Sequence, residues 1–166
     1  MNAIDLRIGH GWDRHALQVG RPCLLGGVLF AECPVGPVGH SDGDALVHAL
    51  IDALLGAAAL GDIGGHFSDG DPQWAGADSL DLLDRTWNLL QEKGFKFGNA
   101  DCTIITERPM IAPATGEMKK KLGQVLGVEV NRISVKATRG EGLGPEGRGE
   151  CVTAMATVLL SRGMLE

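Results

Sequence analysis

The sequence predicts an α/β chain of the α+β two-layer sandwich kind, a mixed β-sheet packed on helices. Short β-rich runs alternate with segments of helical spacing. Three of those segments end at a glycine, at Gly61, Gly94 and Gly127. The 166 residues are 44% hydrophobic and 22% charged, enough apolar material for one ordinary core.

Residues 3–9 alternate apolar and polar as a strand does, up to the glycine-flanked Gly9-His10-Gly11, which reads as a turn. In residues 23–30 the pair Gly26-Gly27 separates two apolar runs, the pattern of a hairpin. After the Pro/Gly stretch 34–39, residues 44–60 carry Leu46, Leu50, Ala53, Leu54 and Ala57 at helical recurrence. Ser41 or Asp42 is the expected cap. Residues 62–77 form a Gly/Asp/Pro-rich loop whose length points to function. A second helix starts at Asp78 or Ser79 and stops at Gly94. Residues 95–107 form a strand around Thr103-Ile104-Ile105-Thr106, and a third helix covers about 114–126. Residues 133–138 read as a strand, 140–149 as a glycine-dense loop, and 151–160 as a strand with helix as the alternative. No repeat or Pro/Ser-rich linker interrupts the chain, so one domain over residues 1–166 is expected.

Fifteen Lys plus Arg against twenty-one Asp plus Glu give a net charge of −6, the wrong sign for a nucleic-acid binder. With no tyrosine, base stacking is a poor expectation too. A phosphate-bearing substrate would need local cations, metals or helix N-termini to be held against this mean field. The 25 glycines have no period and sit beside Asp, His and Arg, in turns around polar chemistry. Cys23, Cys33, Cys102 and Cys151 lack CxxC pairing and read as free thiols of a reducing cytosol. Residues 1–11 lack the apolar stretch of a leader and 53–60 is too short to span a bilayer; a cytoplasmic protein without membrane contact is expected.

Four segments carry chemistry. Asp13 and His15, two apart on extended backbone, point to one side. His48 lies on the polar stripe of the first long helix, with Asp44 and Asp52 one turn either way. Asp13, His15 and His48 would make a three-ligand site with an open fourth position, as in catalytic zinc; ordinary capped histidines fit the spacing equally. His40-Ser41-Asp42-Gly43-Asp44 enters that helix, where N–H groups face an anion or are simply capped. The loop at residues 62–71 holds carboxylates suited to hydroxyls or a cation, without EF-hand spacing. Residues 136–150 mix glycines with arginines and glutamates, able to bring amides and guanidinium forks to phosphate, without a P-loop pattern.

In order, Ile8-Gly9-His10-Gly11-Trp12-Asp13-Arg14-His15, Gly39-His40-Ser41-Asp42-Gly43-Asp44 with His48, the run from Asp52 through Gly61-Asp62-Ile63-Gly64, and Gly76-Ala77-Asp78-Ser79 resemble the 2-C-methyl-D-erythritol 2,4-cyclodiphosphate synthase family over about residues 6–160. The resemblance implies a homotrimer with its sheets around a central axis and active sites at subunit interfaces. It implies a lyase of the non-mevalonate isoprenoid pathway that converts 4-diphosphocytidyl-2-C-methyl-D-erythritol 2-phosphate to the cyclodiphosphate and CMP. It assigns Asp13, His15 and His48 to Zn2+, and Glu141 to Mg2+ or Mn2+ bridging the substrate phosphates. His40 and Ser41 correspond to residues at the reacting phosphates, His40 as transition-state stabiliser. Asp62, Ile63, Gly64, Phe67, Asp69 and Asp71 fall in the substrate loop, with Asp69 toward the erythritol hydroxyls. Thr106, Pro109, Met110 and Ala112 fall in the cytosine pocket, and Thr138 corresponds to a further substrate-binding position. Arg148 corresponds to an arginine near the axis, where a phosphate or isoprenoid diphosphate binds in relatives.

Three positions depart from the family pattern. Arg139 stands where a threonine assists at the diphosphate, either as a longer phosphate ligand or as an obstruction. Met110 replaces the lysine after the cytosine-pocket proline, and Pro145 replaces an aromatic residue near the axial cavity. They leave open a trimeric metal-binding homologue with altered nucleotide preference or lost turnover.

Overall fold

The computed structural model describes residues 5–163. Its first strand, β1 (Asp5–Val19), runs far past the glycines expected to end it. Residues 3 and 4 of the expected strand lie outside the described residues. Gly9 and Gly11 are mid-strand positions, not a turn. A Cβ on Gly9 would lie 1.8 Å from the Ala53 carbonyl oxygen, and one on Gly11 would lie 1.9 Å from that of Ala49. These glycines exist because a helix backbone lies directly on the strand.

The hairpin forms as β2 (Leu24–Leu25) and β3 (Val28–Leu29), with Gly26 and Gly27 at positive φ in its turn. A short edge strand, β4 (Val35–Pro37), follows in the stretch read as irregular and pairs with the outer end of β1. Helix α1 (Ala45–Ala57) is buried almost all round, with only Asp52 and Gly56 outside the fully buried set. Its cap is Asp44, correcting the expectation of Ser41 or Asp42: the carboxylate accepts from Leu46 N and Val47 N.

The loop at residues 62–77 is partly ordered into α2 (Ile63–His66) and a 3₁₀ turn at Pro72–Trp74. α3 (Ser79–Glu92), capped by Asp78, and α4 (Thr115–Leu126), ended by Gly127 at positive φ, match the expected helices. Between them runs β5 (Phe95–Ile105); β6 (Ile133–Thr138) follows α4. The loop at 140–149 holds one further turn, α5 (Gly144–Gly147). Residues 151–162 are a strand, β7 (Cys151–Arg162), and not the alternative helix.

The sheet order is β4-β1-β7-β5-β6, mixed, with only the β5–β6 pair parallel. α1 lies on β1 and β7, with α3 against α1, and α4 against α3 and β6. This two-layer arrangement is the expected one. Leu46, Leu50, Leu54, Leu83, Leu90, Ile104 and Leu122 are fully buried between the layers; each contributes about 1.5–3 kcal/mol by leaving water. The opposite face of the sheet carries Leu6, Ile8 and Trp12 exposed.

Candidate active site

Strand alternation sorts β1 into two surfaces. Gly9, Gly11, Asp13 and His15 face the helices, while Ile8, His10, Trp12 and Arg14 are exposed on the open face. α1 runs antiparallel to this row, since Gly9 meets Ala53 and Gly11 meets Ala49. One step further along, His48 of α1 reaches Asp13 and His15.

There, His15 Nε2 lies 2.8 Å and His48 Nδ1 3.1 Å from Asp13 Oδ2, and the two ring nitrogens are 3.0 Å apart. Three donor atoms this close, from a carboxylate and two imidazoles, could hold a metal ion. His15 Nδ1 lies 2.7 Å from the Val38 carbonyl oxygen, which only accepts, so Nδ1 carries a proton and, when the ring is neutral, Nε2 keeps the lone pair a metal would take. Burial pushes the Asp13 carboxyl up, but the adjoining His15 and His48 imidazoles outweigh it and hold the group well below the carboxylate range. Burial pushes His15 down, and its bond to Asp13 carries it above its ordinary value nonetheless.

These residues line a pocket of about 330 Å³ with His40, Ser41, Ile63, Gly64, Phe67 and Asp69. Trp74 and Leu82, unremarked in the sequence, complete the wall; Trp74 meets Phe67 edge-on at 5.1 Å between ring centroids. Asp62 and Asp71 fall outside this lining and act as caps. Asp62 accepts from Gly65 N at the start of α2, and Asp71 from Gln73 N at the 3₁₀ turn. Asp52, one turn past His48, accepts from Ile63 N at 2.7 Å and so anchors the pocket loop to α1. Its place on the stripe with His48 was visible in the sequence; its partner was not. His48 itself is buried, not on a solvent-facing stripe.

Thr106, Pro109, Met110, Ala112, Thr138 and Arg139 come together in a second hollow of about 130 Å³, which shares no residue with the first. Arg148 lies in a third, beside Leu17 and Glu107, with its guanidinium paired to Glu150 at 2.7 and 2.9 Å. Glu141, exposed at positive φ, joins neither the histidine pocket nor the second hollow.

A model of the YgbB family matches residues 6–161. The chain belongs to the YgbB family. Relatives within it are named 2-C-methyl-D-erythritol 2,4-cyclodiphosphate synthase. That of Symbiobacterium thermophilum is 53% identical over 93% of this chain and 98% of its own length. That of Geobacter metallireducens is 52% identical over 95% and 99%. A solved 2C-methyl-D-erythritol-2,4-cyclodiphosphate synthase in its CDP-bound form has a TM-score of 0.85 at 40% identity, covering 93% of this chain and 99% of its own. The bifunctional IspDF of Campylobacter jejuni superposes with a TM-score of 0.93 at 36% identity over 98% of this chain; the chain spans 44% of that protein's length. The resemblance read from the sequence is thus a family membership, and the Asp13-His15-His48 cluster belongs to a YgbB family fold.

Proposed function

We propose that this chain, acting as one domain over residues 1–166, is a metal-dependent cyclodiphosphate synthase. It closes 4-diphosphocytidyl-2-C-methyl-D-erythritol 2-phosphate into the 2,4-cyclodiphosphate and releases CMP. The observation that carries this reading is the convergence of Asp13 Oδ2, His15 Nε2 and His48 Nδ1 in the same pocket as His40, Ser41 and the 63–69 loop. In the reaction an oxygen of the 2-phosphate bonds to the β-phosphorus, and the bond from that phosphorus to the oxygen bridging the α-phosphate breaks. The nucleophile is already anionic, so positioning and charge neutralisation dominate over base catalysis.

Asp13, His15 and His48 are the residues we assign to Zn2+, which when bound supplies a Lewis acid for a β-phosphate oxygen. Glu141 is assigned to Mg2+ or Mn2+, which would neutralise charge on the substrate phosphates. His40, exposed at the pocket mouth, donates to the oxygens that gain charge as the ring closes, and Ser41 binds beside it. Asp69, with the Ile63-Gly64 backbone and Phe67, takes the erythritol hydroxyls. Asp62 and Asp71 serve the same subsite by holding the loop's shape through their caps.

The cytidine end belongs in the hollow of Thr106, Pro109, Met110 and Ala112, where base edges meet backbone groups. Arg139, exposed at that hollow with no ion pair among the described residues, serves beside Thr138 as a phosphate ligand. The two hollows are separate within one chain, which supports a site assembled between subunits. The exposed Leu6, Ile8 and Trp12 give the open sheet face the apolar character of an interface. We therefore assign a homotrimer with this face toward the axis, where Arg148 marks the end suited to a phosphate or isoprenoid diphosphate. No helix among the described residues is long and apolar enough to cross a membrane. Free Cys23, Cys33, Cys102 and Cys151 suit a reducing cytoplasm.

Purified protein given the diphosphocytidyl substrate with zinc and magnesium releases CMP and the cyclodiphosphate in equal amounts. No CMP under any metal condition overturns the assignment.

A further inference from the structure

At the N-terminus of α3 a fully buried hydroxyl stands between a proposed metal ligand and a carboxylate. Ser79 Oγ lies 2.9 Å from His48 Nε2 and donates its proton to Asp42 Oδ1. Asp42 is itself fixed by backbone: Oδ2 accepts from Ser79 N at 2.8 Å and Oδ1 from Asp44 N at 3.1 Å. Its own N–H donates to the Ala77 carbonyl oxygen.

The proton count along this chain has one solution. A carboxylate only accepts, so the single proton of Ser79 is committed to Asp42, and Ser79 Oγ offers His48 a lone pair. His48 Nε2 must then carry the ring proton. Nδ1 is left with its lone pair, and Nδ1 is the atom facing Asp13 and His15. Ser41 Oγ also lies 3.0 Å from Nε2. Ser41 lines the open pocket, so it accepts from the same Nε2–H while its own proton turns toward the pocket; the alternative, Ser41 donating to a bare Nε2, would set that lone pair against the lone pair of Ser79 Oγ at 2.9 Å.

We propose that Ser79 and Asp42 are positioning residues of the metal centre. They form a hydroxyl–carboxylate relay that fixes His48 as an Nδ1 ligand and raises the basicity of that nitrogen. The inference rests on the zinc reading above. It assigns the second histidine a device different from the first: His15 is oriented by a backbone carbonyl that no side-chain substitution removes, and His48 by two side chains that substitution can remove.

The test is zinc affinity, measured by competition with a chromophoric chelator, on wild type, Ser79→Ala and Asp42→Asn. Ser79→Ala keeps the Asp78 cap and the bond from residue 79 N to Asp42, so the metal-free protein keeps its fold and its melting temperature falls only by what the lost buried hydroxyl bonds are worth. Its zinc Kd rises about 10- to 100-fold, and the ligand-field bands of the Co(II)-loaded protein shift. A Kd within about twofold of wild type, or unchanged bands, overturns the relay. Should Ser79→Ala not fold, Asp42→Asn decides by the same two measures. A wild type that fails to bind one zinc per chain overturns the zinc reading and the relay with it, whereas normal wild-type binding matched by both variants overturns the relay alone.

Discussion

Gly11 of β1 and Ala49 of α1 approach so closely that a Cβ on Gly11 would sit 1.9 Å from the Ala49 carbonyl oxygen. Backbone cannot yield as a flexible side chain does, so Gly11→Ala forces α1 off the sheet. Its cost is about 3 kcal/mol, read as a lower urea midpoint. Because His48 rides on the same helix, zinc affinity falls along with stability.

Asp44 holds four backbone donors with one carboxylate. Besides capping α1 it accepts from Gly26 N at 2.8 Å and Gly27 N at 2.7 Å, tying the hairpin turn to the helix start. Burial pushes this carboxyl up, and the N–H groups of Gly27, Gly26 and Val47 oppose that. Asp44→Ala removes a cap worth about 1 kcal/mol and leaves buried N–H groups unpaired at about 1–3 kcal/mol. A loss of about 2–4 kcal/mol in chemical denaturation is the expected result.

His48→Ala removes a proposed ligand from a helix whose apolar contacts stay intact. Turnover falls by more than about 100-fold with the far-ultraviolet dichroism of wild type and the same oligomer on a sizing column. Loss of the oligomer would make the metal structural instead.

Acidity weakens zinc binding through His15. Its folded value lies above 6.5, so zinc must displace a proton as pH falls through that range, at up to about tenfold in Kd per pH unit. Stability of the metal-free chain follows a different course. A raised His15 contributes fully below pH 6.5 and loses its contribution as pH rises through the folded value. A depressed Asp13 contributes fully above pH 3.8 and loses its contribution as pH falls through its folded value. Both hold fully only between pH 3.8 and 6.5, where thermal melting of the apo protein shows this pair's largest share.

Arg139→Thr is expected to lower kcat/KM about tenfold, the loss of one charge-assisted phosphate contact. Steady-state kinetics against salt checks it, since an arginine–phosphate contact weakens as ionic strength rises. Faster turnover in the variant would mark Arg139 as an obstruction.

Much of the site was readable before the fold. Alternation alone brings Asp13 and His15 to one side, and helical recurrence finds α1. The failures have local causes. A glycine-x-glycine pattern at the end of an alternating run has the signature of a turn, and only the helix behind it shows that Gly9 and Gly11 are strand positions. β4 hides because Pro34 and Pro37 suppress its β character at a sheet edge. Asp62 and Asp71 look like ligands in a loop of acids, and their caps on α2 and the 3₁₀ turn emerge only once those turns exist. The meeting of His48 with Asp13 spans 35 residues of sequence and follows from the antiparallel run of α1 over β1.

The two-faced alternation of β1 leaves the strand no tolerance for a change of length. Deleting or inserting one residue between Gly9 and Asp13 would rotate the segment by half a turn of its pleat. Trp12 after a deletion, or His10 after an insertion beside it, would then meet the α1 backbone where only hydrogen fits, and the carboxylate of Asp13 would swing to the outer side of the sheet. Substitutions at Ile8, His10 and Trp12 reshape the outer surface without touching the ligands, so this segment can drift in composition on one side while its residue count stays locked.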